Sequence, residues 1–192
     1  MSGAYFGSAV GPLWLASDAA DRGKVGNKLL VDLRLGAAMW DQFALDFSLD
    51  VLLLDDRMPF SEDVVTCTTN LNDPAPVERC GDPESEESSV SGAALSIEGG
   101  YQRRFDLDGP MLTLLPGLML GYQGTVDPLT RSVGCSGCRD EQIEGVETSG
   151  VYLSPFVRVA FVALLGISVR WRWYFTGDLT NALLFGVDLG LP

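Results

Sequence analysis

Apolar and polar residues alternate with a period of two in the stretch FALDFSLDVLL, which runs from Phe43 to Leu53. One row of this stretch carries phenylalanine, leucine and valine, whereas the other carries alanine, serine, leucine and two aspartates. A period of two places successive side chains on opposite faces of a β-strand. The stretch therefore predicts a strand with one bulky apolar face and one smaller, partly charged face.

Eight segments of the chain show strand patterning and are separated by turn or loop signals. The predicted strands are residues 3–15, 28–40, 43–56, 90–105, 111–125, 149–164, 167–177 and 181–191. Pro116 and Pro155 lie inside two of these segments. Because proline donates no ladder hydrogen bond, the two residues predict either β-bulges or earlier strand ends at these positions.

Short and long connectors alternate between the predicted strands. Residues 41–42 and 106–110 are short connectors, and the long ones are residues 16–27, 57–89 and 126–148. With antiparallel neighbours, the long loops all lie on one side of the molecule. A chain of 192 residues fits one domain. The pattern therefore predicts an all-β fold, a single eight-stranded antiparallel up-and-down β-barrel over residues 1–192.

The size of the side chains in the alternate row, opposite the bulky one, distinguishes two kinds of barrel. A soluble barrel buries its bulky row, whereas a transmembrane barrel presents that row to lipid. An eight-stranded barrel has an interior only just wide enough for side chains. The alternate row is unusually small, with residues such as Gly7, Gly36, Ala44, Ser96 and Gly186. Small residues inside and bulky residues outside favour a transmembrane β-barrel in contact with membrane lipid.

Charged residues of the small row are nearly balanced, with five carboxylates and four arginines. Unpaired buried charges are costly. We therefore expect a lumen salt-bridge network made of Asp32, Arg34, Asp46, Asp50, Glu98, Arg158, Arg170, Arg172 and Asp188. Paired carboxylates also suit acid–base catalysis, but the four neighbouring arginines favour a structural role.

Aromatic residues gather towards the predicted strand ends, as they do in the girdles of membrane barrels at the two water interfaces. The expected membrane-interface aromatics are Trp14, Trp40, Phe43, Tyr101, Phe105, Trp173 and Phe175, and Tyr5, Phe6, Tyr122 and Tyr152 fall in the same zones. A helical span is the rival reading for residues 109–126, which carry no charge. That reading leaves the alternation elsewhere unexplained.

The net charge of −13 is concentrated in two segments that read as loops, because residues 55–91 contribute −8 and residues 127–148 contribute −3. No basic stripe is present to meet phosphates, which argues against nucleic-acid binding. The acidic loops raise the hypothesis of divalent cation binding. However, CGDPESEESS, residues 80–89, lacks the ordered ligand spacing of a calcium loop, so we expect solvated loops.

Four cysteines, Cys67, Cys80, Cys135 and Cys138, fall in these same two segments. The sequence CSGC forms a C-x-x-C motif, which also occurs in redox and zinc sites, but its polar, glycine-containing loop lacks the setting of a redox motif. We expect structural disulfides and no metal. Local pairing, 67–80 with 135–138, is the simplest of the three possible pairings. Disulfides indicate an oxidising compartment.

The chain resembles the small eight-stranded outer-membrane barrels of Gram-negative bacteria, the group of the OmpA-type transmembrane domain, OmpX and OmpW. Such barrels often end in polar-x-Gly-x-x-apolar-x-apolar. Gly186, Leu189 and Leu191 match that motif, whereas Leu184 departs at the polar position and Pro192 replaces the usual aromatic. The resemblance implies a bacterial outer-membrane location and recognition of the motif by the outer-membrane assembly machinery.

An outer-membrane location requires a secretory leader, and MSGAYFGSAV lacks a basic region and a long apolar core. We therefore expect a leader upstream of Met1. The resemblance also implies that barrel enzymes of this membrane use a histidine, and the chain contains none. We expect no enzymatic activity and no cofactor.

The resulting prediction is a monomeric outer-membrane barrel with a structural or surface-interaction role and a lumen packed by salt bridges. Two alternatives remain open. One is a narrow pore for small solutes, and the other is a soluble lipocalin-like ligand-binding barrel, which would dissolve without detergent.

Overall fold

A computed structural model describes residues 3–39, 42–56, 67–68, 79–80, 88–107, 112–133, 141–161 and 165–190. Within these residues the barrel strands are Gly3–Leu15 (β1), Val25–Met39 (β2), Phe43–Asp56 (β3), Ser88–Gln102 (β4), Leu112–Val133 (β5), Gly150–Phe161 (β6), Leu165–Tyr174 (β7) and Leu179–Leu189 (β8). The connections contain the helix Ser17–Gly23 (α1) and the short strands Cys67–Thr68, Arg79–Cys80, Phe105–Asp106 and Glu141–Gln142.

The eight strands close into a barrel. Each strand pairs antiparallel with the next along the chain, and β8 pairs antiparallel with β1. Phe6 of β1, for example, lies opposite Leu35 of β2 on one side and Leu189 of β8 on the other. The predicted fold class, an all-β eight-stranded antiparallel up-and-down barrel, is confirmed.

The largest differences from the predicted boundaries lie at the end of the barrel that carries the long loops. β5 continues to Val133, inside the segment 126–148 that we expected to be a loop, because it stays paired with residues 88–91 of β4. The expected loop 16–27 contains α1 and the start of β2. Of the expected loop 57–89, the structure describes only residues 67–68, 79–80 and 88–89.

Pro116 and Pro155 produce neither bulges nor strand ends, so both expectations for these residues are wrong. The register between β5 and β6 is unbroken from the Gln123–Gly150 pair to the Leu112–Phe161 pair. Pairing between β6 and β7 is interrupted around Pro155 and resumes in the same register, as expected for one missing N–H donor. The irregularities of the β4–β5 pair lie elsewhere, between residues 91 and 94.

The barrel wall has a charged inner face and an apolar outer face. Burial alternates residue by residue along the strands, as in β7. All eight strands expose large hydrophobic side chains, for example Phe6, Leu35, Phe47, Leu95, Leu120, Val157, Trp171 and Phe185. This is the orientation that the pattern predicts. Among the described residues, no helix has the length and hydropathy of a membrane span.

Candidate functional site

The middle of the barrel interior holds the charged residues that the sequence singled out, and Arg172 of β7 contacts two of them. Its Nη2 lies 2.5 Å from Asp32 Oδ2, and its Nη1 lies 2.9 Å from Asp50 Oδ1. The same Nη2 donates to Ser48 Oγ at 3.2 Å, and the Ser96 hydroxyl donates to Asp50. Because β7 is not a neighbour of β2 or β3 in the sheet, Arg172 links distant parts of the barrel wall.

Arg170, two residues earlier on β7, contacts a second pair of carboxylates. Its Nη2 lies 2.9 Å from Asp46 Oδ2, and its Nη1 pairs with Glu98 Oε1. Asp46 and Glu98 are directly opposite each other on β3 and β4, where like charges are destabilising. Arg170 offsets this repulsion from across the barrel, and the Tyr5 hydroxyl donates to Asp46.

Asp188 of β8 links the remaining two arginines. Its Oδ2 lies 2.8 Å from Arg158 Nε, and its Oδ1 lies 3.7 Å from Arg34 Nη2. Arg34 Nη2 also lies 3.4 Å from Asp32 Oδ1. The ion pairs therefore form a chain of six residues, Asp50, Arg172, Asp32, Arg34, Asp188 and Arg158, beside the trio of Asp46, Arg170 and Glu98.

Tyr5 connects these two groups and contradicts one expectation of the sequence analysis, because both Tyr5 and Tyr152 face the interior rather than the membrane interface. The guanidinium carbon of Arg158 lies 4.0 Å from the centre of the Tyr5 ring, and that of Arg172 lies 4.9 Å from the Tyr152 ring. Both contacts have cation–π geometry. Tyr5 lies two residues before Gly7, which the sequence analysis assigned to the interior. Residues two apart on a strand share a face, so this spacing predicts that the Tyr5 side chain points inward.

Each of these tyrosine rings lies over a glycine of the adjacent strand. Tyr5 is opposite Gly36, and Tyr152 is opposite Gly121. A Cβ atom built at either glycine would collide with the ring. The glycines therefore make room for large rings in a narrow interior.

An apolar cluster fills the interior at the long-loop end, and the sequence analysis missed it. We name it the loop-end plug: Ala9, Leu13, Leu15, Ala20, Val25, Leu30, Leu52, Leu54, Val90, Ala94, Leu129, Ile143, Tyr152, Tyr174, Leu179, Ala182 and Leu184. All eight barrel strands contribute to it. The sequence feature that predicts this cluster is the presence of Leu30, Leu52 and Leu184 in the same rows as the lumen charges.

The helix α1 packs on this plug through Ala20, and Arg22 connects it to two neighbouring segments. Arg22 Nη2 lies 3.0 Å from Asp178 Oδ1, and its Nε donates to the carbonyl oxygen of Gly145 at 3.1 Å. Its Nη1 lies 3.0 Å from Asp18 Oδ2. The hydrogen bond from Arg22 lowers the pKa of Asp18 below its usual value, helped by the backbone N–H of Ala19.

The predicted interface aromatics that the structure describes all lie on the outer surface. Trp14, Phe43, Tyr101, Phe105, Trp173 and Phe175 are exposed, and Trp40 lies outside the described residues. Phe43 and Tyr101 meet edge to face across β3 and β4, with ring centres 6.1 Å apart. Their position at a membrane interface remains a prediction.

The backbone brings Cys67 and Cys80 opposite each other in the pair of short strands Cys67–Thr68 and Arg79–Cys80. Opposite residues of antiparallel strands have Cα atoms about 4.5–5.5 Å apart, within the ~4.4–6.8 Å usual for disulfides. The register is thus compatible with the predicted 67–80 disulfide, which remains a prediction. Cys135 and Cys138 lie outside the described residues. In the described part of the chain, no three metal-ligating side chains cluster as a metal site.

No protein-family model and no curated protein matches the chain. Among solved structures, the chain is similar to Neisserial surface protein A (NspA), at 15% identity over 100% of this chain and 99% of that chain, with a TM-score of 0.47.

It is also similar to two structures of Ail, the attachment invasion locus protein of Yersinia pestis. Identity is 11% for the complex with the heparin analogue sucrose octasulfate and 13% for the second structure. Each comparison covers 98% of this chain and 96% of that chain, with a TM-score of 0.44. NspA and Ail are small eight-stranded outer-membrane barrels, the group that the sequence resembles.

Proposed function

We propose that the protein is an integral, monomeric β-barrel of a bacterial outer membrane with a closed lumen and a structural or surface-interaction role. The observation that carries this proposal is the inverted distribution of side chains, with ion pairs in the interior and large hydrophobic residues outside on every strand. In water, so large an apolar surface is unusual for a monomer. In a bilayer the same surface meets acyl chains.

The height of the apolar surface supports the proposal. The outward residues between Leu29 and Met39 on β2, and between Phe43 and Leu53 on β3, are all apolar. Ten residue steps at ~3.3 Å and a strand tilt of ~40° span about 25 Å along the barrel axis. This equals the apolar band of outer-membrane barrels. Closure of the sheet also leaves none of the eight described barrel strands with an open edge in lipid.

The packing of the interior supports a closed lumen over the alternative of a narrow pore. Arg34, Arg158 and Arg172 have fully buried side chains, and only 2% of the Arg170 side chain is exposed. Their charges are directed at carboxylates rather than at a water-filled path. The same packing argues against a soluble lipocalin-like binder, because guanidinium groups fill the space that a ligand would need.

The acidic segments support a role at the cell surface. Because the interior is filled, partners would meet the outside of the barrel, and the sequence concentrates −11 of the net charge of −13 in residues 55–91 and 127–148. We propose contacts there with basic groups, or with anionic sugars through divalent cations. Calorimetric titration with Ca²⁺ tests the second route, and the absence of heat would contradict it.

Folding into detergent or lipid vesicles tests the membrane assignment. We expect the refolded protein to need an amphiphile and to migrate differently on SDS gels before and after boiling. We also expect planar bilayers that contain it to show no stable conductance steps. A monodisperse protein in buffer without detergent would contradict the membrane assignment, and a stable large conductance would contradict the closed lumen.

A further inference from the structure

The loop-end plug lies on one side of the lumen charges. β2 runs away from the loop end, and its Leu30 comes before Asp32. β3 runs towards the loop end, and its Leu52 follows Asp50. Plug and charged residues keep this order on β7 and β8 as well. The interior is therefore layered along its axis, with the plug on the loop side of the ion pairs. A smaller apolar cluster of Ala44, Met119 and Phe156 includes a residue on the other side, because Ala44 precedes Asp46 on β3.

The plug extends across the whole cross-section of the barrel. All eight strands contribute to it, and Ala20 of α1 and Ile143 add to it from outside the strands. Leu13, Leu30, Leu52 and Leu184 are completely buried. Any path from the loop end to the ion pairs therefore passes this cluster, whose side chains are hydrocarbon apart from the hydroxyls of Tyr152 and Tyr174. The Tyr174 hydroxyl donates to Gln123 Oε1 at 2.7 Å.

We propose that the loop-end plug, rather than the salt-bridge network, is the barrier to ions in the lumen, an inference that rests on the closed lumen proposed above. An ion that enters an apolar layer loses hydration without receiving replacement dipoles. Hydrophobic constrictions close channels in this way, by excluding water. The ion-pair layer instead offers carboxylates, guanidinium groups and the hydroxyls of Ser48 and Ser96, which are able to replace water around an ion.

Potassium leak from vesicles that contain the whole protein separates the two layers. The plug variant is the triple substitution Leu30→Ser, Leu52→Ser and Leu184→Ser. Its matched control is Leu33→Ser, Leu49→Ser and Leu183→Ser, which places the same change on the outer face of the same three strands. The network variant is Asp32→Asn with Arg172→Gln, which removes one opposite pair of charges.

We expect the plug variant to raise the potassium leak about tenfold, and the other two variants to stay within about twofold of the wild type. Altered SDS-gel migration after boiling identifies variants that have folded. If the triple plug variant does not fold, the three single serine variants replace it, and each is expected to raise the leak by a smaller factor.

Two results would overturn the inference while leaving the closed lumen intact. The first is a wild type that does not leak potassium together with a network variant that does. The second is a set of folded plug variants that do not leak potassium. A wild type that already leaks contradicts the proposed function itself.

Discussion

The charged middle of the barrel interior and the loop-end plug fill one lumen by different physical means. The middle depends on specific pairs between residues far apart in sequence, such as Arg172 and Asp32, which are 140 positions apart. The plug depends mainly on apolar side chains of suitable volume, although its Tyr174 hydroxyl donates a hydrogen bond to Gln123 Oε1. Loss of one ion-pair partner leaves a buried charge uncompensated, whereas cores tolerate volume-conserving exchange. The middle should therefore be the more sensitive of the two regions.

Removal of one lumen carboxylate should have the largest effect. Asp32→Ala takes a partner from both Arg172 and Arg34, and we expect it to lower the free energy of unfolding by about 3–5 kcal/mol. Urea unfolding in lipid vesicles measures this loss. Asp55→Ala is the control, because Asp55 pairs with Lys28 at the exposed rim, where a pair contributes at most about 1 kcal/mol. Equal effects of the two variants would contradict the account.

Truncation of a leucine in the plug should lower the free energy of unfolding somewhat less than removal of a lumen carboxylate. Leu52→Ala leaves a cavity in a closed interior, and we expect a loss of about 3 kcal/mol by the same measurement. Leu52→Met conserves volume and should cost less than about 1.5 kcal/mol. Leu49→Ala, on the lipid face of the same strand, is the matched control with the smaller loss expected, because acyl chains fill the vacated space. A larger loss for Leu49→Ala would reverse the assignment of the two faces.

Overpacking at a tyrosine–glycine contact should have a moderate effect. Gly36→Ala places a methyl group against the Tyr5 ring and the Asp46 carboxylate, and we expect it to lower the free energy of unfolding in urea by about 1–3 kcal/mol. Gly99→Ala is the control, because a Cβ at Gly99 meets Leu45 Cδ1 at 3.6 Å, an ordinary contact. Adding Tyr5→Leu to Gly36→Ala should give a smaller loss than the sum of the single losses. Strict additivity would show that ring and glycine are not coupled.

The smallest effect should follow from the contacts of Arg22 at the loop end. Arg22→Ala removes the links from α1 to Asp178 and Gly145, and we expect faster amide exchange in residues 17–23 with little change in global unfolding. Unchanged exchange in α1 would show that Arg22 does not hold the helix in place.

Acidification should produce a related local change. The folded pKa of Asp18 lies below its ordinary value of 3.8, so its contribution is complete above that value. The contribution is lost as the pH falls through the lower folded pKa. Protection of α1 against exchange should therefore be constant above about pH 5 and decline only below about pH 4. In Asp18→Asn this acid-dependent decline should be weaker.

The sequence predicted the strands and the orientation of their faces because both depend on a local period of two. It did not predict which arginine contacts which carboxylate. Those partners depend on the stagger of the closed barrel, which places Arg170 beside both Asp46 and Glu98. Tyr5 was assigned to the interface by its position near a strand end, although it lies on the same strand face as Gly7, which indicated the interior. For Tyr5, the alternation of faces along the strand predicted the side-chain direction better than the position near the strand end did.

The loop end was the hardest part to predict, because its structure depends on non-local pairing. Residues 126–133 fall in the segment that we expected to be a loop, yet Asp127 and residues 130–133 are paired with β4. The plug was missed for a related reason. Its inner leucines share rows with charged residues, so only their common position along the barrel axis reveals a separate layer.

Quenching of tryptophan fluorescence by brominated lipids tests the central claim most directly, because bromine on acyl chains quenches only tryptophans in contact with lipid. Trp14, Trp171 and Trp173 lie on the outer surface. The account predicts strong quenching when the protein is folded into vesicles of brominated lipid, compared with the same lipid without bromine. Equal fluorescence in the two kinds of vesicle would contradict an apolar face that meets acyl chains.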